Sequence, residues 1–168
     1  MYGVAVLVRR DVVRAEAVSV REVEWDLEGR VLVVELARSK VCVMGVYAVN
    51  GTANAYRDPG SGVVVGTRHE RKRAFQRLLR GKVEGCEGRG WGVVVAGDMN
   101  VARAEVDAWP VLRMQKEHVE SRRGLEECFM REREEGGLGM VDSFWAVRGG
   151  ERKFTWRPRG RARGSGGG

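Results

Sequence analysis

Apolar positions along this chain follow two rhythms. Residues 3–9 (GVAVLVR), 30–36 (RVLVVEL) and 41–49 (VCVMGVYAV) are short runs rich in β-branched residues, and each reads as a buried strand. A polar turn at 38–40 separates the second run from the third, so the two form an antiparallel hairpin. Their near-continuous apolarity calls for cover on both faces. Residues 67–84 change period: Ala74, Phe75, Leu78, Leu79 and Val83 recur at helical spacing. The other side of that helix carries Arg71, Lys72, Arg73, Arg77 and Arg80, which reads as a solvated face. WGVVVAGDMN, residues 91–100, returns to strand and is read as the central one. Residues 109–121 have no clear period. A second helix is expected over 122–135, with Leu125, Cys128 and Phe129 as its buried stripe. GGLGMVDSF breaks that helix and leads into a short strand. RKFTWRP reads as another strand, ended by Pro158.

Between the hairpin and the first helix, residues 50–66 hold Asn50-Gly51, Pro59-Gly60, Ser61-Gly62 and Gly66, which is loop chemistry. Strands and helices interleave, but the hairpin argues against a purely parallel sheet, so the class is α/β. The last residues, RGRARGSGGG, are low in complexity and expected to be disordered, giving a domain over 1–157 and a basic Gly/Arg tail over 158–168.

The chain has 168 residues, enough for one domain. No apolar run approaches the roughly 18 residues of a membrane span, and no signal peptide is visible. The expectation is an intracellular protein with no membrane partner. The sequence makes no statement about oligomeric state. Net charge is +7, from 30 Lys and Arg against 23 Asp and Glu, which favours a phosphate-bearing partner. Cys42, Cys86 and Cys128 have no metal-binding spacing, so no zinc site is expected, and Cys42 and Cys128 are read as buried free thiols. The two histidines, His69 and His118, are read as surface residues.

Candidate chemistry lies in VVVAGDMNV, residues 93–101. Asp98 and Asn100 are two residues apart at a strand end, where side chains share a face. One reading is an oxygen-rich cluster suited to a hard divalent cation and a phosphate. The other is local: Asp98 caps the next turn and Asn100 takes a turn conformation.

Four segments, in order, carry a resemblance. GDMNVARAEVD resembles the GD(F/M)N segment of the endonuclease/exonuclease/phosphatase (DNase I-like) family, nearest to abasic-site endonucleases of the exonuclease III type. YGVAVLVRR resembles that family's early strand, and GVYAVNG its strand-to-loop segment ending in Tyr-x-x-Asn. GMVDSFWAVRGGERKFTW is similar to its x-Asp-(Ser/Thr)-Phe segment and the Thr-aromatic segment that follows. The resemblance implies a partial four-layered α/β sandwich, with two packed, mostly antiparallel sheets flanked by helices. It implies magnesium, with manganese as the alternative ion, and DNA as partner. It implies that Asp98 orients or activates water or moves a proton, that Asn100 holds the scissile phosphate, and that Tyr47 contacts the phosphate. Asn50 would bind the substrate backbone, and Trp156 would stand where such enzymes carry a pocket aromatic. Asp142 is read as structural.

The same resemblance marks departures. The family's Gln-Glu pair, whose Glu binds metal, has no counterpart here. Neither do its Arg-x-Asp-Tyr-like strand and its Ser-Asp-His motif. The expectation is therefore a domain lacking both edges, with its metal ligands unassigned. The function implied is magnesium-dependent phosphodiester hydrolysis on DNA, of the abasic-site endonuclease or 3′-exonuclease type, as in DNA repair. Alternatives are a catalytically dead fragment or retroelement remnant that at most binds nucleic acid, and a phosphatase on a small phosphorylated substrate. A nuclear location would suit the DNA reading.

Overall fold

The computed structural model describes residues 3–153. Trp156 and the expected boundary at 157/158 lie outside them. The described residues form a mixed α/β structure with a four-stranded sheet, a two-stranded sheet and four α-helices. The large sheet runs β1 (Val18–Arg21), β2 (Val31–Leu36), β3 (Val41–Tyr47) and β6 (Gly92–Asp98), side by side in that order. β1, β2 and β3 are antiparallel neighbours, and β6 joins β3 in parallel. The expected hairpin is thus β2–β3, with Lys40 at φ 56° in its turn.

One face of the sheet is dictated by alternation. Cys42, Met44 and Val46 of β3 point the same way as Val33 of β2 and meet Phe75, Leu79, Val83 and Cys86 of α2 (Arg68–Glu87). Each of these large apolar side chains contributes about 1.5–3 kcal/mol on burial. Leu125, Phe129 and Leu138 complete that core. Glu35 lies on the same face at the β2 end and is buried. It accepts hydrogen bonds from Arg21 at 2.7 Å, Arg89 at 3.1 Å and Ser19 at 3.2 Å. The Arg21 bond, opposed by burial, holds its carboxyl below the usual range.

Several expectations are corrected. Residues 3–9 do not pair into a strand. They run extended against β3, with Val6 and Val4 over Gly45: a Cβ there would come within 2.6 Å of Val6 and 3.5 Å of Val4. The inward valines satisfy the apolar pattern without a ladder. A short helix, α1 (Arg10–Glu16), and β1 follow, neither foreseen in this charged stretch. The 50–66 loop contains β4 (Ala55–Arg57) and leads into β5 (Val64–Thr67), an antiparallel pair around the Pro59-Gly60 turn. β6 is not central among the described residues. It pairs with β3 alone and leaves Val94 49% exposed.

The later helix starts earlier than expected. α3 spans Lys116–Leu125 and passes into a π-helical turn, Glu126–Met130. Its buried positions include Leu125 and Phe129, as read, while Cys128 is half-buried. A helix, α4 (Ser143–Arg148), stands where a short strand was expected. The Asp142 carboxylate caps it, accepting the Trp145 N–H at 3.1 Å, which bears out a structural role for Asp142. Residues 151–153 of the last expected strand lie in no strand, and the rest of it is outside the described residues. No helix among the described residues is long and apolar enough to cross a membrane.

Candidate functional site

The parallel pair β3–β6 brings two strand ends together. Tyr47 stands opposite Asp98 in the register, and the Ala48 N–H donates to the Asp98 carbonyl at 2.8 Å. Gly97 makes this approach possible. Its φ is 143°, and a Cβ there would collide with the Val46 backbone. Beyond Gly97 the chain turns sharply. The Asn100 N–H donates to Asp98 Oδ1 at 2.8 Å, and Asn100 takes φ 52°. Both local roles expected for this pair are therefore present.

The turn is pinned from two further directions. Asn100 Nδ2 donates to the Ala48 carbonyl at 2.8 Å, tying β6 back to β3. Lys72 Nζ donates to the Asn100 carbonyl at 2.5 Å. Asp98 itself is exposed, and Asn100 is half-buried. One Asp98 oxygen is engaged by the turn, and Asn100 presents its amide oxygen.

Lys72 corrects the reading of its helix face. It is only 3% exposed, on the buried stripe with Phe75, Gln76 and Leu79. Burial pushes its ammonium down to about 8; Asp98 opposes that shift and Arg113 adds to it. The helix is aimed at this point by its N-terminus. Thr67 Oγ1 accepts the Glu70 N–H at 3.2 Å, and the Glu70 carboxylate accepts the Thr67 N–H at 2.7 Å, a complete capping box. His69 and Lys72 therefore leave the first turns of α2 in fixed directions. Both lie on Gly51, where a Cβ would come within 2.6 Å of His69 Nδ1 and 3.2 Å of Lys72 Cδ.

The histidines are not isolated surface residues. Their rings meet edge to face with centroids 5.1 Å apart, joining α2 to α3, and both are half-buried. Each is held below the ordinary histidine value. Burial is the first cause for both; Lys72 and Arg73 add to it at His69, against Glu117. Arg113, His69, Lys72 and Arg122 add to it at His118.

Tyr47 is half-buried, with its ring 5.5 Å from the Arg30 guanidinium. Arg30 is 1% exposed, donates to the Tyr47 carbonyl at 3.3 Å and pairs with Glu28 at 3.1 Å. Burial favours the neutral Glu28 carboxyl. Arg30 and Arg71, 3.6 Å away, outweigh it and lower the net value. Tyr47 thus rests on a buried ionic network at the β2 end. Asn50 is exposed just past β3, and its carbonyl accepts from Arg68 Nε at 3.3 Å. The fold gathers Tyr47, Asn50, Asp98 and Asn100 at the C-terminal ends of two adjacent strands.

Sequence reading missed Lys72, His69, His118 and Arg113. A signal for Lys72 was present: it lies three residues before Phe75 and seven before Leu79, on the apolar stripe. The histidine pair is 49 positions apart along the chain, and only tertiary packing joins it.

A metal needs more donors than these. Asp98 is the one carboxylate at the turn, with a buried ammonium beside it. Among the described residues no three His, Cys, Asp or Glu side chains group to hold an ion. Magnesium takes six oxygens, several of them from water and phosphate. The described donors do not by themselves fit that demand.

A model of the Endonuclease/Exonuclease/phosphatase family matches residues 1–167. No curated protein matches the sequence. Among solved structures, the chain is similar to the 3′ phosphatase NExo from Neisseria bound to a product DNA hairpin. That likeness has 23% identity and a TM-score of 0.44, over 64% of this chain and 41% of that one. It is also similar to the 3′-5′ exonuclease NExo from Neisseria meningitidis, at 20% identity and a TM-score of 0.43, over 73% of this chain and 48% of that one. The chain spans less than half the length of either structure, and likeness of this degree adds nothing to the family match.

Proposed function

The chain belongs to the endonuclease/exonuclease/phosphatase family, and on that premise we propose that it takes part in phosphodiester hydrolysis on DNA, of the abasic-site endonuclease or 3′-exonuclease type. The observation that carries this reading is the end of β6. An exposed Asp98 carboxylate and the Asn100 amide share one turn with cationic side chains of α2 and the 113–118 segment around it.

The chemistry assigned to each group follows from what it can reach. Asp98 keeps one carboxylate oxygen outside the turn, where it orients an attacking water and accepts its proton. Asn100 offers its amide oxygen to that water or to the leaving hydroxyl. One Nδ2 hydrogen serves the Ala48 carbonyl, and the second is left to hold the phosphate alongside the cations. The Lys72 ammonium and the Arg113 guanidinium favour the negative charge that grows on the phosphate oxygens. Tyr47 and Asn50, at the end of β3, lie where a strand backbone passes. Trp156 keeps its proposed role as pocket aromatic.

The family in general depends on divalent metal, and magnesium, with manganese as alternative, is proposed for the complete site. Such an ion would stabilise phosphate charge; the described residues do not supply its full donor set. A second reading, from the same resemblance, is a fragment or remnant that at most binds nucleic acid.

The test is turnover by the purified chain. One substrate is a duplex with a single abasic site, another a duplex with a 3′-phosphate, and a third a small phosphomonoester, each with magnesium or EDTA. Magnesium-dependent incision or 3′ processing of DNA is expected. Turnover of the small ester alone would move the reading to a phosphatase. No turnover by the folded chain would contradict hydrolysis and leave the remnant.

A further inference from the structure

Three side chains beside the Asp98 turn, His69, His118 and Arg113, have donors and no hydrogen-bond acceptor among the described residues, and a fourth, Lys72, has donors to spare. The ring nitrogens of His69 and His118 make no hydrogen bond to protein among the described residues, and the Arg113 guanidinium makes no ion pair. Lys72 spends one of its three N–H donors on the Asn100 carbonyl. These groups come from separate parts of the fold, and packing, not sequence, brings them together. Gly51 seats His69 and Lys72 side by side, the ring contact brings in His118, and Arg122, one turn beyond His118 on α3, donates to the Arg113 carbonyl at 2.8 Å and so ties the Arg113 segment to that helix.

The cluster is positively biased from every side. His69 faces Lys72 and Arg73 of its own helix, and Glu117 and His118 from α3. His118 faces Arg113 from the preceding segment, Lys72 and His69 from α2, and Arg122 of its own helix. The carboxylates in reach are Asp98, toward Lys72, and Glu117, toward His69. A cation would meet only repulsion from Lys72 and Arg113. An anion would relieve repulsion among four donors and accept from each, and each of its charge-assisted bonds would be stronger than a neutral one. The half-buried rings leave an open route to it.

We propose that His69, His118, Lys72 and Arg113 form a binding site for a backbone phosphate of a nucleic-acid strand, beside the Asp98–Asn100 turn, and that phosphate and proton bind there together. This deepens the function proposed above and rests on that reading for its substrate class. Burial first, and the neighbouring cations after it, hold both histidines below the ordinary histidine value; an incoming phosphate offsets the cations and favours the charged ring, so its arrival draws a proton onto the rings. Binding therefore tightens as pH falls through the histidine range. A phosphodiester keeps a single charge throughout that range, so the pH dependence belongs to the protein.

The test uses the full chain with 13C-labelled histidine rings, titrated with an eight-residue oligothymidylate between pH 5.5 and 8. Both ring signals should shift to saturation, and their protonation midpoints should rise. Affinity at pH 6 should exceed that at pH 7.5 by about 3–10-fold, the effect of up to one proton taken up. H118Q should flatten the pH dependence, and R113Q should weaken binding at every pH. Far-ultraviolet circular dichroism and amide spectra of both variants report that the fold is kept. Midpoints unmoved by the oligonucleotide, or an unchanged pH profile in folded H118Q, would overturn the proposal. The two readings fail separately. Rings that respond in a chain that cleaves nothing would keep this site and remove the hydrolysis. Cleavage of DNA with silent rings would do the reverse.

Discussion

A buried ammonium on the same helical stripe as Phe75 and Leu79 is costly unless something needs it there. At Lys72 that need is the left-handed turn at Asn100, whose carbonyl it receives at 2.5 Å. The folded group titrates at about 8, below its unfolded value of 10.5. Between those values the unfolded chain holds the proton more tightly, so stability rises with pH. Wild type should therefore gain about 2 kcal/mol on Lys72→Met between pH 7.5 and 9.5, read from urea unfolding of both proteins. A difference that stays constant across that range would mean Lys72 is not buried as a charge. Asp98 and Asn100 were legible as a pair from their spacing. Their partners were not, because His69, His118 and Arg113 join the turn only through the packing of α3 on α2.

At the scale of elements, the β3–β6 contact is what puts chemistry at a strand end. Gly97 allows it: φ 143° and the nearby Val46 backbone together exclude any side chain. Gly97→Ala should destabilise the protein by at least ~2–3 kcal/mol, or displace the Asp98 turn, as thermal unfolding and amide chemical shifts around Val46 would show. An Ala variant of native stability with unmoved shifts would contradict the geometry. The β2–β3 hairpin, α2 and β6 could be read directly, because long apolar runs with one period outweigh local preference. Residues 3–9 share that pattern and still make no ladder, since alternation records which side faces the core and not what pairs with the edge. The β4–β5 pair was hidden by the very turn residues that build it. α4 was hidden because Asp142 reads equally as a strand start and as the N-cap it is.

The molecule as a whole is basic, with a net charge of +7, and part of that charge converges beside the one exposed carboxylate of the β6 turn. The α/β class and the family membership both follow from patterns that survive in a short chain. The central claim is that the Asp98 turn performs hydrolysis. The most direct measurement compares wild type with Asp98→Ala, both shown to be folded, on a duplex carrying one abasic site, with magnesium and with EDTA. The account predicts magnesium-dependent incision by wild type and a loss of about 10²–10⁴-fold in Asp98→Ala, the usual contribution of a positioned proton acceptor. Incision of equal rate in the variant would contradict it.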